Sequence, residues 1–426
     1  MIHKSPPKGD ASAGASEPGI PGYAWIMVSC AWLLGFAMYA PMLGIPPLAH
    51  IITAQFHVSH AAVGLLFALP VTSLIVLAIP SGFLADRVGT QRAVGIGAIV
   101  MAAGSLLRGA SQSFGGFLLF TALYGIGFSI IYPNLPKLVG LWFPREKVGL
   151  ATGVYSTGIT TAGAIALAIT LPLIFPITNS VQGTFVIWSF PAVAAAILWW
   201  IVAREPRTRD RGGRTIAMGR TRLPSYSLWK DANMWFIALL LFFNDIHFYI
   251  WSGWSPTLFI MKGASPELAG FMASCRGWAG FPVIFLMPWV SYKVGLRKPF
   301  MWGSALLLAF ASLAAMYAPV SWGWLLMALV GIATSGTFSM TLALPLELLP
   351  NELAGIATGT VLSIGYVGGL LGPWLAGRIV DATASFDIVL LLLSATGILW
   401  AIVGLLIPET GRKRAAMAGY ATAAIQ

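Results

Sequence analysis

Long apolar stretches alternate with short polar connections along almost the whole chain. A helix needs roughly 17–25 predominantly apolar residues to cross a bilayer, and twelve stretches reach this length. The pattern predicts twelve transmembrane helices, at residues 23–46, 61–82, 93–110, 115–137, 148–172, 183–203, 232–258, 267–290, 299–317, 322–345, 353–376 and 386–407. The expected fold class is therefore an all-α membrane protein.

The second half of the chain repeats the first at a fixed offset. Gly125-Ile126 recurs as Gly331-Ile332, and Gly163 recurs as Gly369, each pair being 206 residues apart. Many membrane carriers are built from two such repeats and bind their substrate between them. We therefore expect two six-helix repeats related by pseudo-two-fold symmetry.

A single long polar segment, rich in arginine, separates the first six stretches from the last six. The pattern predicts five parts: a disordered cytoplasmic tail at 1–21, a six-helix bundle at 22–203, a basic cytoplasmic linker at 204–231, a second bundle at 232–407 and a cytoplasmic tail at 408–426. Most of the 25 Lys and Arg residues fall on one side of the membrane if both termini are cytoplasmic, as the positive-inside rule requires. This distribution predicts an integral protein of the bacterial inner membrane.

The composition excludes several other classes of protein. Hydrophobic residues form 58% of the chain and charged residues 9%, whereas soluble domains carry about 25% charge, so the lipid bilayer must cover most of the surface. The net charge of +11 lies in short loops, which indicates membrane orientation and not nucleic-acid binding. We expect no metal, no cofactor and no enzymatic activity, because metal-ligand spacings, nucleotide-binding loops and catalytic constellations are missing. The complete repeat permits a functional monomer.

The turn after the second stretch has a distinctive order of residues. It runs Gly-Phe-Leu-Ala-Asp-Arg-Val-Gly, with Gly82, Asp86, Arg87 and Gly89 at its key positions. A carboxylate there suits a neighbouring helix N-terminus. The turn resembles the cytoplasmic signature loop of the major facilitator superfamily, and the twelve helices, six-plus-six repeat and basic central loop match that family across the chain. The resemblance implies that these four residues form a cytoplasmic gate.

Further segments resemble one branch of this family. The segments 132–137 and 251–257, with 141–146 and 263–270 after them, resemble those of the cyanate and nitroimidazole permeases, and they also resemble other organic-anion importers. Two departures weigh against a drug exporter. Thr121 stands where many proton-driven exporters carry an arginine, and the segment 153–163 lacks the proline of the drug-antiporter motif. The resemblance favours uptake of a small anion.

Three ionisable residues lie deep within the predicted spans: Asp245 and His247 in the seventh, and Arg276 in the eighth. Each costs about 3 kcal/mol or more at mid-bilayer, so each is a candidate functional residue. Asp245 and Arg276 fall within about 5 Å of the same depth, at the helical rise per residue. Asp245 and His247 point about 200° apart on an ideal helix, so they cannot both face one site unless the helix unwinds.

Three interpretations of these charges stay open. Arg276 can bind an anionic substrate while Asp245 or His247 carries a coupling proton; Asp245 and Arg276 can form a structural ion pair; or one of them faces a wet crevice. The candidate substrate-binding residues are Arg276, Tyr39, His247, Trp251, Thr337 and Tyr366. The predicted function is secondary active transport by alternating access, with proton-coupled uptake (symport) of a small organic or inorganic anion. The alternative is proton-driven efflux of drugs or amphipathic compounds.

Overall fold

The computed structural model describes residues 22–143, 145–204, 228–349 and 354–411. These residues contain twelve helices that are long and apolar enough to cross a membrane. We number them α1 Gly22–Leu43, α2 His60–Val88, α3 Thr90–Ala110, α4 Phe114–Ile131, α5 Arg145–Ile169, α6 Val181–Val202, α7 Ala232–Met261, α8 Pro266–Val294, α9 Lys298–Tyr317, α10 Gly323–Leu348, α11 Ala354–Thr383 and α12 Asp387–Leu406. The predicted all-α fold with twelve spans is confirmed. The two predicted tails and the basic linker lie almost wholly outside the described residues.

Two predicted helices are interrupted near one end. The stretch predicted at 115–137 divides into α4, a 3₁₀ turn at Tyr132–Asn134 and a short helix at Leu135–Trp142. The stretch predicted at 148–172 ends in a π-helical turn at Thr170–Ile174. Both interruptions contain proline, at Pro133 and Pro172, which lacks the backbone N–H that a regular helix needs.

Serine side chains begin four of the helices. Ser59, Ser113, Ser180 and Ser265 each accept a hydrogen bond from a backbone N–H in the first turn of α2, α4, α6 and α8. Such N-caps satisfy N–H groups that have no partner within the helix. Successive spans run in opposite directions, and each of these four caps begins a helix that follows a connection from the preceding span.

The antiparallel order defines two ends of the bundle. The terminus end holds the start of α1 and the end of α6, where the Tyr23 hydroxyl donates to the Val202 carbonyl. The distal end holds the start of α2 and the end of α11, where His60 contacts Asp381. The first six helices and the last six form two halves, which contact each other through α2 with α11 and through α5 with α8.

Small residues bring the two halves into close contact. A Cβ atom on Gly64 of α2 would overlap the carbonyl group of Pro373 on α11. A Cβ atom on Gly277 of α8 would lie 2.9 Å from the backbone nitrogen of Ala164 on α5. Glycine and alanine permit this approach, as they do at other helix interfaces in membranes.

Candidate functional site

Arg276 is a buried cation without an anionic partner among the residues that the structure describes. Its side chain projects from α8 and is 3% exposed. The guanidinium carbon lies 4.4 Å from the centroid of the Phe248 ring on α7, a cation–π distance. The Nε atom has no hydrogen-bond partner. A guanidinium has five N–H donors, so this group has donor capacity available for a ligand.

Asp245 lies among four tyrosines from both halves. The residue is 2% exposed, and its Oδ2 atom has no hydrogen-bond partner. It interacts electrostatically with each member of a tyrosine cluster, which consists of Tyr39, Tyr132, Tyr249 and Tyr366. These tyrosines come from α1, the turn after α4, α7 and α11. The cluster therefore brings four separate parts of the chain to one place.

Ring contacts fix the position of the cluster. Tyr132 meets Tyr366 edge to face across the two halves, with ring centroids 6.1 Å apart. Phe128 lies between Tyr39 and Tyr132, with centroid distances of 5.4 Å and 5.7 Å respectively. Aromatic pairs at these separations are attractive. The hydroxyl groups are consequently held by rigid rings on packed helices.

Tyr249 connects Asp245 with Arg276. The tyrosine interacts electrostatically with both charged residues, but the two charged side chains form neither an ion pair nor a hydrogen bond with each other. The structural ion pair considered from the sequence is therefore absent from this conformation. What the fold assembles is one cation, one carboxyl group and several hydroxyl groups.

His247 is not part of this group. Its Nε2 atom lies 3.2 Å from the Thr396 hydroxyl on α12, and its ring centroid lies 5.8 Å from that of Trp400. The side chain is fully buried. This position agrees with the opposite directions expected for Asp245 and His247. The structure thus places His247 inside the second half, away from the tyrosine cluster.

Two other predicted binding residues also lie apart from Arg276. The Thr337 hydroxyl donates to the Ala333 carbonyl at 2.7 Å and accepts from the Asn244 amide at 3.0 Å, so it joins α10 to α7. Trp251 is 1% exposed, and its indole N–H has no partner. Neither residue makes a hydrogen bond to Arg276. Of the six predicted binding residues, Tyr39 and Tyr366 belong to the tyrosine cluster, and Arg276 interacts with that cluster through Tyr249.

The predicted gate residues lie in the turn between α2 and α3. Asp86 forms an ion pair with Lys137, and both residues belong to the first half. Arg87 is exposed. Gly89 ends α2 with φ +91°, a left-handed conformation that favours glycine. A Cβ atom on Gly82 would have no neighbouring atom within 4 Å. In this conformation the gate carboxylate thus joins two helices of one half, and its predicted action on closure stays a prediction.

At the distal end, the two halves are joined by a contact that the sequence did not predict. The Asp381 carboxylate on α11 accepts hydrogen bonds from the backbone N–H groups of His60 and Ala61, at 2.8 Å and 2.9 Å. The His60 ring Nδ1 lies 2.8 Å from the same carboxylate. A carboxylate at a helix N-terminus is favoured by the free N–H groups and the helix dipole. Asp381 therefore links the second half to the first.

Arg108 lies at the end of α3 and is fully buried in the first half. Its guanidinium carbon lies 4.5 Å from the Tyr124 ring and 5.0 Å from the Phe185 ring, and it donates to the Pro41 carbonyl. Pro41 lies near the end of α1, so Arg108 satisfies a carbonyl at the end of that helix.

Metal ligands do not cluster in the described part of the chain, where three or more His, Cys, Asp or Glu side chains never come together. Cys30 and Cys275 are both free thiols. The chemistry of the central group is therefore that of hydrogen bonding and charge. It suits binding and release of a small ligand.

Comparison with known proteins agrees with this geometry. The family model of the Major Facilitator Superfamily matches residues 27–263 and 256–420. The chain is 26% identical over 389 residues to the "Uncharacterized transporter YycB" of Bacillus subtilis (strain 168), covering 89% of this chain and 92% of that protein. It is 24% identical over 384 residues to the "2-nitroimidazole transporter" of Escherichia coli (strain K12), covering 89% and 94%. It is also 24% identical to the "Cyanate transport protein CynX" of the same organism, covering 81% and 87%.

Solved structures support the same fold. The crystal structure of a D-xylose-proton symporter matches with a TM-score of 0.75 at 16% identity, covering 91% of this chain and 99% of that one. An inward-facing, occupied bacterial homologue of the lysosomal transporter Spinster matches with a TM-score of 0.68 at 17% identity, covering 91% and 96%. The two-repeat transporter architecture expected from the sequence is therefore confirmed. The chain belongs to the Major Facilitator Superfamily and is a membrane transporter, not an enzyme.

Proposed function

We propose that this transporter takes up a small monovalent anion together with a proton, by alternating access of its two halves. The observation that carries the proposal is the buried guanidinium of Arg276, which has no acidic partner among the described residues. We further infer an inner-membrane location with both termini cytoplasmic, since that orientation satisfies the positive-inside rule.

An unpaired buried cation favours binding of an anion. Burial of a charge is costly unless it is paired and hydrogen-bonded. A carboxylate or similar anion can accept two parallel N–H bonds from a guanidinium, whose planar fork matches it. Tyr249 interacts with Arg276 and offers a further hydroxyl donor. One guanidinium balances one negative charge, so the expected substrate is a monoanion.

Asp245 is the proposed carrier of the coupling proton. Ionisable residues within spanning helices commonly mark proton pathways. Asp245 has no basic partner in the described structure, and Tyr249 connects it to Arg276. Proton binding at Asp245 and anion binding at Arg276 can therefore influence each other over a short distance. The cluster spans both halves, so occupation of this site can affect their relative movement.

The relatives support a small substrate. Two of them are named as transporters of 2-nitroimidazole and of cyanate. Another relative, 25% identical over 362 residues, is the "Fosmidomycin resistance protein" of Escherichia coli (strain K12). Because of this relative, the transport experiment described next also tests drug efflux.

Transport by purified protein in liposomes tests the proposal. Uptake of labelled cyanate, formate and lactate is measured with and without an inward proton gradient, and leakage into protein-free liposomes is subtracted. The variants are Arg276→Ala and Asp245→Asn, with Arg378→Ala as a matched control because that arginine is exposed.

The proposal predicts uptake of at least one anion that the proton gradient stimulates. This uptake is lost in Arg276→Ala and retained in Arg378→Ala. In Asp245→Asn, uptake down an anion gradient persists but no longer responds to protons. If no anion is taken up under any gradient, and a cationic dye is exported instead, the anion proposal is overturned and drug efflux replaces it.

A further inference from the structure

We propose that Gly163 limits the size of the anion that Arg276 accepts. This inference rests on the proposed function and concerns the same site. Gly163 belongs to the repeated pattern of the two halves, with Gly369 as its equivalent. Each of these glycines faces a residue of the site. A Cβ atom on Gly369 would lie 2.7 Å from the Tyr249 ring, and one on Gly163 would lie 3.8 Å from the Nη2 atom of Arg276.

The space beside Gly163 is sparsely filled. Two atoms come within 4 Å of a Cβ atom built there: the Arg276 Nη2 atom and a terminal methyl carbon of Leu43, at 3.8 Å and 3.0 Å. By contrast, a Cβ atom on nearby Gly158 would overlap the backbone carbonyl of Trp32. The packing of α5 is therefore closed by backbone at Gly158, whereas at Gly163 the neighbouring atoms belong to the side chains of Leu43 and Arg276.

Gly163 faces one of the donor nitrogens of Arg276, Nη2. Phe248 covers one side of the guanidinium, so a ligand must reach the N–H groups from another direction. The backbone of Arg276 is fixed by close contact with α10, where a Cβ atom on Gly331 would overlap the Arg276 carbonyl. Gly163 belongs to the first half and Arg276 to the second. An anion bound at this position would therefore contact both halves.

A methyl group at position 163 would occupy part of this space without displacing Arg276. The 3.8 Å distance to Arg276 is an ordinary van der Waals contact. At 3.0 Å the Leu43 methyl must move by a few tenths of an ångström, which the end of a flexible side chain can do. We therefore expect Gly163→Ala to fold normally. It should discriminate against larger anions while it still accepts the smallest ones.

Binding of a graded series of anions tests this inference. Dissociation constants for cyanate, acetate, lactate and benzoate are measured by titration calorimetry on the purified full-length protein in detergent. The variants are Gly163→Ala and Gly359→Ala. Gly359 is the matched control because it is an exposed helical glycine with no atom near a Cβ position.

In Gly163→Ala, we expect the dissociation constant of the largest anion that the wild type binds to rise at least about tenfold relative to that of cyanate, the range known for one extra methylene in a filled pocket. The ratio should not change in Gly359→Ala. A second variant, Leu43→Val, trims the other neighbour and should shift the ratio in the opposite direction. This variant keeps the test decisive if Gly163→Ala folds poorly.

The outcomes separate the inference from the proposed function. If the wild type binds anions and neither variant changes the ratio, the role of Gly163 is rejected and the anion site stands. Equal weakening of all anions by Gly163→Ala also rejects size selection. If the wild type binds no anion, both proposals fail together.

Discussion

Replacing Arg276 by methionine distinguishes a ligand-binding cation from a structural one. Breaking a buried ion pair by removing one partner costs about 3–5 kcal/mol of stability. Arg276 has no such partner here. The substitution removes the contact with Phe248, and a desolvated cation–π contact is worth about 2 kcal/mol. It also relieves unsatisfied buried donors, which cost about 1–3 kcal/mol each and more for charged groups. These terms oppose each other, so we predict little net change in unfolding free energy.

The assay is unfolding of the purified protein by titration with SDS, with and without a bound anion. A wild-type protein at 100 times the dissociation constant gains about 2.7 kcal/mol from its ligand. Arg276→Met should unfold like the ligand-free wild type and gain nothing from the anion. Asp245 and Arg276 share Tyr249 as a neighbour but form no ion pair, so the double variant Arg276→Met/Asp245→Asn should depart from the sum of the single effects by no more than about 1 kcal/mol. A loss of about 3 kcal/mol or more in the single variant, together with strong non-additivity, would refute the reasoning. It would support a structural ion pair between Asp245 and Arg276 instead.

Three further outcomes follow from the structure. His247→Gln should keep proton-stimulated uptake, because His247 lies against Thr396 and outside the tyrosine cluster; loss of stimulation alone, in liposome uptake, would contradict this. Asp86→Ala should change unfolding free energy by less than about 1 kcal/mol, since its partner Lys137 is exposed; a larger loss on SDS unfolding would indicate further contacts. In a cysteine-free background carrying Val63→Cys, Asp381→Asn should increase labelling by an impermeant maleimide, because it weakens the link to α2; unchanged labelling would show that Asp381 does not hold the distal end.

The sequence predicted those parts of the site that stand out chemically. Asp245 and Arg276 are conspicuous because charged residues are rare within apolar stretches. Tyr39 lies 206 residues before Asp245, which is the offset between the two repeats. Tyr132 and Tyr249 gave no such signal, since aromatic residues are common in spanning helices. Their position beside Asp245 depends on four parts of the chain that come together only in the folded protein.

Other features depended on tertiary contacts. Arg108 lies at the end of an apolar stretch, and no local pattern indicates that Tyr124 and Phe185 enclose it. Asp381 caps a helix that starts 321 residues earlier, a separation that no local pattern reports. The rotation of α7 about its own axis places Asp245, and not His247, beside tyrosines of the first half. Periodicity showed that they diverge, but not which of them faces the other half.

Equilibrium binding of a labelled anion to the purified protein is the most direct test of the central claim. The measurement compares wild type, Arg276→Met and the exposed control Arg378→Ala, with cyanate and lactate as probes. We predict saturable binding of one anion per chain in the wild type and in the control, and none in Arg276→Met. Undiminished binding in Arg276→Met would contradict the assignment of Arg276 as the anion-binding group.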